Sequence, residues 1–137
     1  MENIPKYKPF NQVYYDKRFA FIHSKNQISG GYDIFVFNND GSGERLDNIA
    51  ESDLIPIPLN EEILSNCNLE KCCYGYCIMF ENKTKKVFIS NHLYCEIRIG
   101  EEKYESVVNS VHELQIFVNE HTKHFITYIP KAKLTNY

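Results

Sequence analysis

Apolar and polar positions along the chain fall into short alternating runs separated by turn residues, the signature of β-strands rather than helices. The clearest run is 32–37, where Tyr32, Ile34 and Val36 alternate with Asp33, Phe35 and Phe37. Aromatic side chains stand on both sides of it, which predicts a strand buried on one face and covered at its edge on the other. Similar runs occupy 12–15, 18–23, 45–49 and 53–57. Ser29, Gly30 and Gly31, and then the stretch 38–43, supply the Asn, Asp and Gly residues that accept the positive φ of tight turns. Five short strands with turns at roughly 8–12-residue spacing predict an SH3-like small β-barrel over residues 10–58.

The pattern changes at Pro56 and Pro58. Neither can donate to a sheet ladder, and both hold the preceding residue extended, so a strand ends here. Asn60 is a good N-cap, Glu61 and Glu62 put negative charge in the first turn, and Leu59 and Leu64 have the spacing of a hydrophobic staple. Asn68 is expected in the left-handed position after the helix, with Leu69 folded back. A helix over 61–67 is too short to stand alone and is expected to join the sheets on either side into one compact unit.

Beyond it, runs at 73–80, 86–90, 93–99 and 103–107 predict an antiparallel sheet, with a polar turn at 81–84. Such a meander needs a helix on one face. Ser110 and Glu113 have capping-box spacing, and Val111, Leu114, Phe117, Val118 and His121 form one stripe at the helical period. A last strand is expected over 125–129, with 1–9 a mobile lead-in and 131–137 a frayed tail. The fold class is therefore α+β, with a β block at 10–58 and a helix, antiparallel sheet and helix at 59–130.

Composition adjusts this picture in three ways. The chain of 137 residues has 43% hydrophobic residues, enough for a packed core, which excludes global disorder. Its net charge of −3 argues against a general nucleic-acid binder, although a local basic patch remains compatible with it. No run of about 18 apolar residues occurs and the first ten positions are polar, so neither a membrane helix nor a signal peptide is expected. An odd set of cysteines at 67, 72, 73, 77 and 95 in such a chain reads as reduced thiols of a cytoplasmic protein.

Candidate chemistry is sparse. The cysteines are soft ligands, but their gaps form no CxxC knuckle, so no metal is expected and they read as small buried residues. On a continuous strand Cys73 and Cys77 share a face and Cys72 points away. His121 and His124 are three apart and could share a ligand, or serve the negative end of a helix. Cys95 or Cys73 facing His112 would be the minimum for a thiol nucleophile, yet no nucleophile elbow, zinc-protease, phosphate-loop or dinucleotide motif is present. No cofactor is implied, and enzyme is the minority reading. The best binding surface is the aromatic-basic set Tyr14, Tyr15, Lys17 and Arg18, with Tyr7 and Lys8 nearby. His112 and Gln115 on the second helix either line a pocket or anchor that helix to backbone carbonyls.

Two segments carry a resemblance. The stretch IPIPLNEEILSNCNL at 55–69 is similar to an I-P-L-T-x-E-x-L motif followed by a Cys-Gly-Phe turn. VHELQIF at 111–117 is similar to V-H-x-L-Q-N-L-Y. Both occur, in this order and after a β-rich N-terminal part, in small uncharacterised proteins of phages and mobile elements of Bacteroidetes-type bacteria. Here Asn60 stands for Thr, Asn68 and Leu69 for Gly and Phe, and Ile116 for Asn. The resemblance implies a phage-type accessory protein in the host cytosol, with no activity to carry over. The expected function is stoichiometric binding that blocks or sequesters a host component, either a defence protein or an anionic nucleotide signal, through Tyr14, Tyr15, Lys17, Arg18, His112 and Gln115. The alternatives are a nucleic-acid-contacting SH3-like module and a Cys/His hydrolase or zinc protein. Free strand edges also make a homodimer reasonable.

Overall fold

The computed structural model describes residues 6–38, 40–80, 85–90 and 93–129, with the Met79 side chain left aside. The chain divides into two compact units, Met1–Ile57 and Pro58–Tyr137. The tail predicted over 131–137 and the turn predicted over 81–84 lie outside the described residues.

Strands β1 (Gln12–Tyr15), β2 (Arg18–Lys25), β3 (Tyr32–Phe37), β4 (Gly43–Ile49) and β5 (Leu54–Pro56) build the first unit, with a short 3-10 turn at Glu51–Asp53 before β5. They form one antiparallel sheet in the order β4-β3-β2-β1-β5. No ladder joins β4 to β5 among the described residues, so the sheet ends in two edges. Asp16 and Lys17, at φ 49° and 61°, make the two-residue turn from β1 to β2. Two positive φ values there match the twist of the flanking strands. One face of the sheet is the core, made of Val13, Ala20, Ile22, Tyr32, Ile34, Val36 and Leu54, with Tyr15, Leu46 and Ile49 packed against it.

Tyr7 corrects the expected lead-in. It is 1% exposed and belongs to this core. Its hydroxyl donates to the Leu54 carbonyl at 3.4 Å, its backbone N–H donates to the Tyr32 hydroxyl at 3.2 Å, and the two rings meet edge to face at 5.5 Å. Burial pushes the Tyr7 hydroxyl up to about 12, with the Glu51 charge adding to it.

The second unit opens with α1 (Glu61–Ser65), a single turn and a half capped as expected: Asn60 Oδ1 accepts from the Ile63 N–H at 2.8 Å. Leu59 and Leu64 are both buried. The far end differs from expectation. Asn68 is not left-handed; the helix tightens into i→i+3 bonds, from Asn66 to the Ile63 carbonyl and from Cys67 to the Leu64 carbonyl. Asn68 instead clamps the C-terminal segment. Its amide donates to the Phe125 carbonyl at 3.0 Å and accepts from the Thr127 N–H at 2.7 Å. The predicted strand at 125–129 is therefore only a bridge, Tyr128 facing Cys67, because its partner is this short stretch after α1 and not a sheet edge.

The strands β6 (Glu70–Cys72), β7 (Gly75–Met79), β8 (Lys85–Ser90), β9 (Tyr94–Ile99) and β10 (Glu102–Val107) form an antiparallel meander in sequence order. The continuous strand expected over 73–80 is a hairpin, turning at Cys73 and Tyr74. Tyr76, Ile78, Val87, Ile89, Cys95 and Ile97 are buried in it. Helix α2 (Val111–Thr122) packs against β9 with Val111, Leu114 and Val118 fully buried. Ser110 caps it, accepting from the Glu113 N–H, and Lys123 closes it at φ 63°.

Candidate functional site

The sheet of the first unit has a second apolar face. Strand register places Tyr14 beside Ile55 on one side and Phe19 on the other. Phe21 is opposite Gln12 and Phe35, and Phe35 is opposite Arg45. The rings meet each other: Phe19 stacks on Phe37 at 5.7 Å, and Phe21 lies edge to face with Phe19 at 5.2 Å. Phe35 meets Phe37 at 5.3 Å. Phe35 remains 40% exposed and Ile55 53%. The Phe35 ring lies over Gly43 of the edge strand, where any Cβ would collide with it. An antiparallel sheet commonly solvates the face opposite its core. Here that face is a band of phenylalanine running from β2 to β3, continued by Tyr14 and Ile55.

Both arginines of this sheet are already engaged. Arg45 is paired with Asp47 at 2.8 Å and Asp33 at 3.4 Å. Arg18 projects on the core side, opposite Tyr15. Its guanidinium donates to Glu44 at 3.0 Å and Asn38 at 3.1 Å, with Asp16 at 3.9 Å and the Tyr15 ring at 5.8 Å. Lys17 is exposed at the β1–β2 turn. The expected aromatic-basic set thus divides: Tyr14 belongs to the aromatic face, Tyr15 packs on the core, Arg18 is held by acids and Lys17 stands at the tip.

In the second unit His112 and Gln115 are 5% and 6% exposed. The Ser110 hydroxyl donates to Glu113 Oε1 at 2.7 Å and contacts His112 Nδ1 at 2.9 Å. With the Ser110 hydroxyl donating toward the Glu113 carboxylate, Ser110 Oγ accepts from His112, which requires the Nδ1–H tautomer of the imidazole. Gln115 donates to the Ile126 carbonyl at 2.8 Å. Both side chains tie α2 to its own cap and to the segment that follows it. His121 donates from Nδ1 to the Phe117 carbonyl at 2.9 Å and lies 4.3 Å from the Tyr104 ring. His124 packs edge-on against Phe80, its Nε2 buried with no hydrogen-bond partner among the described residues.

All five cysteines are thiols. The hairpin corrects the expected facing: Cys72 lies opposite Gly75 and Cys77 opposite Glu70, so Cys72 and Cys77 share a face and Cys73 sits exposed in the turn. Burial pushes the Cys72 thiol up to about 11, helped by its hydrogen bond with Cys77. Burial likewise pushes Cys67 and Cys95 up to about 12, which keeps both protonated at neutral pH and unfit as nucleophiles. Among the described residues no three His, Cys, Asp or Glu side chains are placed to hold a metal ion. No described helix is long and apolar enough to cross a membrane.

Sequence reading missed Phe19, Phe21, Phe35, Phe37 and Ile55 as a set. The signal was present in the alternation of 19 with 21 and 35 with 37, but only strand register shows that the two pairs are neighbours. Comparison with known proteins found no matching family model, no matching curated protein and no matching solved structure.

Proposed function

We propose that this chain is a non-enzymatic binding protein, of the phage-accessory kind that its two motifs resemble, and that it blocks a host protein in the cytosol through the aromatic face of its first sheet. The observation that carries this reading is the exposure of Phe35 and Ile55 at the margins of the phenylalanine band. Burying an apolar side chain of that size contributes on the order of 1.5–3 kcal/mol. The first unit reads as SH3-like. Its strand order β4-β3-β2-β1-β5, with a 3-10 turn leading into β5, is compatible with that reading, while among the described residues no β4–β5 ladder closes the sheet into the expected barrel.

A host protein is favoured over an anionic nucleotide because Arg18, the expected phosphate contact, already has Glu44, Asn38 and Asp16 around it. The nucleic-acid reading draws on the same rings, since exposed aromatics stack on bases, but the arginine on that face, Arg45, is already paired with Asp47 and Asp33. Burial pushes Cys95, one of the two candidate thiols of a Cys/His hydrolase, up to about 12, and the other, Cys73, stands exposed in the β6–β7 turn.

The test is capture from a Bacteroidetes-type host with cross-linking, comparing the wild type with Phe35→Ser/Ile55→Ser. Circular dichroism should show both folded. A host protein recovered in stoichiometric amount by the wild type and lost in the variant supports the proposal. Equal recovery by both overturns it. So does a thermal shift with cyclic nucleotides, or a mobility shift of short single strands, in place of protein capture.

A further inference from the structure

Among the described residues strand β10 ends the second sheet, paired with β9 on one side only. An edge of this kind presents a row of backbone N–H and C=O groups to any strand that fits. Its side chains are described in full and mostly exposed. On one face stand Lys103, Glu105 and Val107, the last 61% exposed; on the other stand Glu102, Tyr104 and Ser106. Lys103 bridges to Glu105 of its own strand at 2.6 Å and to Glu96 at 3.5 Å. Charges on an edge do not simply forbid pairing. They restrict it to a strand with the complementary sequence of charges.

We infer that this complement is a second copy of the same strand, so that the chain forms a two-fold dimer in which β10 pairs antiparallel with β10 and the two meanders join into one continuous sheet. Symmetry narrows the register. Two antiparallel neighbours related by a two-fold keep the same faces on the same side, so the axis must pass through a residue position. Centred on Lys103, the register sets two ammonium groups opposite each other. Centred on Glu105, it opposes two carboxylates. Centred on Tyr104, it sets Lys103 opposite the partner's Glu105 and Glu105 opposite the partner's Lys103. It also places Glu102 across from Ser106 of the partner subunit. Only this last register converts both charged positions into directly opposed pairs of unlike sign, the arrangement that stabilises antiparallel strands. Tyr104, its ring tilted against His121 beneath the sheet, meets its own copy at the axis.

Sedimentation velocity over a concentration series tests this. The wild type is expected to dimerise reversibly. Lys103→Glu and Glu105→Lys are each expected to weaken self-association about tenfold, because each turns two attractive contacts into repulsive ones. Mixing the two variants one to one should restore association, as should the double exchange Lys103→Glu/Glu105→Lys. Circular dichroism checks that the variants fold, and the mixture separates a lost interface from a damaged protomer. A wild type that stays monomeric to its solubility limit overturns the inference. So does a dimer whose strength ignores both reversals, or a pair of variants that do not associate when mixed.

Discussion

Asp33 shows how much one polar side chain contributes inside this sheet. It sits where the β3–β4 register slips, and it accepts from the Asn48 backbone N–H at 3.0 Å, the Asn26 amide at 3.3 Å and Arg45 at 3.4 Å. The Asn48 N–H first, then the Asn26 amide, hold its carboxyl below the usual carboxylate range. A group whose folded pKa is depressed adds stability that is complete above its unfolded pKa, near pH 4, and that disappears as pH falls through the folded value. Asp33→Asn should therefore lower stability at pH 7, and the gap to wild type should narrow as the solution is acidified through that value. Denaturant unfolding at a series of pH values measures this; a gap that is constant with pH contradicts it. Arg18 illustrates the opposite lesson. Its residue type suggested a contact for a ligand, whereas the residues that occupy it, Glu44 on β4 and Asn38 just after β3, lie 20 or more positions away in sequence and only register reveals them.

At the scale of elements, the first sheet depends on a residue outside any strand. Tyr7 fills the core beside Tyr32 and Leu54, so Tyr7→Ala should cost about 3–5 kcal/mol, as truncation of a buried aromatic does. Tyr7→Phe, which forfeits the long bond to the Leu54 carbonyl but keeps the ring, should cost about 1 kcal/mol. Thermal or chemical denaturation of the two variants distinguishes these values, and a neutral Tyr7→Ala would return the segment to the status of a loose lead-in. Why this was not legible is plain from the residues. A single tyrosine between Lys6 and Lys8 has no periodicity, and its partners lie on β3 and β5. Strands β1 and β3, by contrast, could be read to the residue, because alternation there coincides with strong turn residues. The hairpin at Cys73 and Tyr74 escaped notice because the left-handed position, at φ 66°, falls on Tyr74 and not on the Gly75 that follows it. The caps at Asn60 and Ser110 were legible because capping is local chemistry. The clamp by Asn68 on 125–127 was not, since it joins positions nearly sixty residues apart.

For the molecule as a whole, the functional reading turns on a first sheet that is apolar on both faces. One face, with Tyr7, Val13, Ile22, Tyr32, Ile34 and Val36, is a core. The other carries Tyr14, Phe19, Phe21, Phe35, Phe37 and Ile55. Arg45 on that face is held by Asp47 and Asp33, which favours an apolar protein surface over a phosphate. His112 and Gln115, also expected to share in binding, are hydrogen-bonded within the second unit, and the proposed binding surface is confined to the first.

Site-specific photo-cross-linking tests that assignment most directly. A benzophenone side chain placed at Phe35 or at Ile55 should attach a host protein at close to one-to-one stoichiometry. The same group at Ile28, fully exposed on the β2–β3 connection, should attach none. Cross-linking that is absent at both face positions, or as strong at Ile28 as at Phe35, would contradict the account.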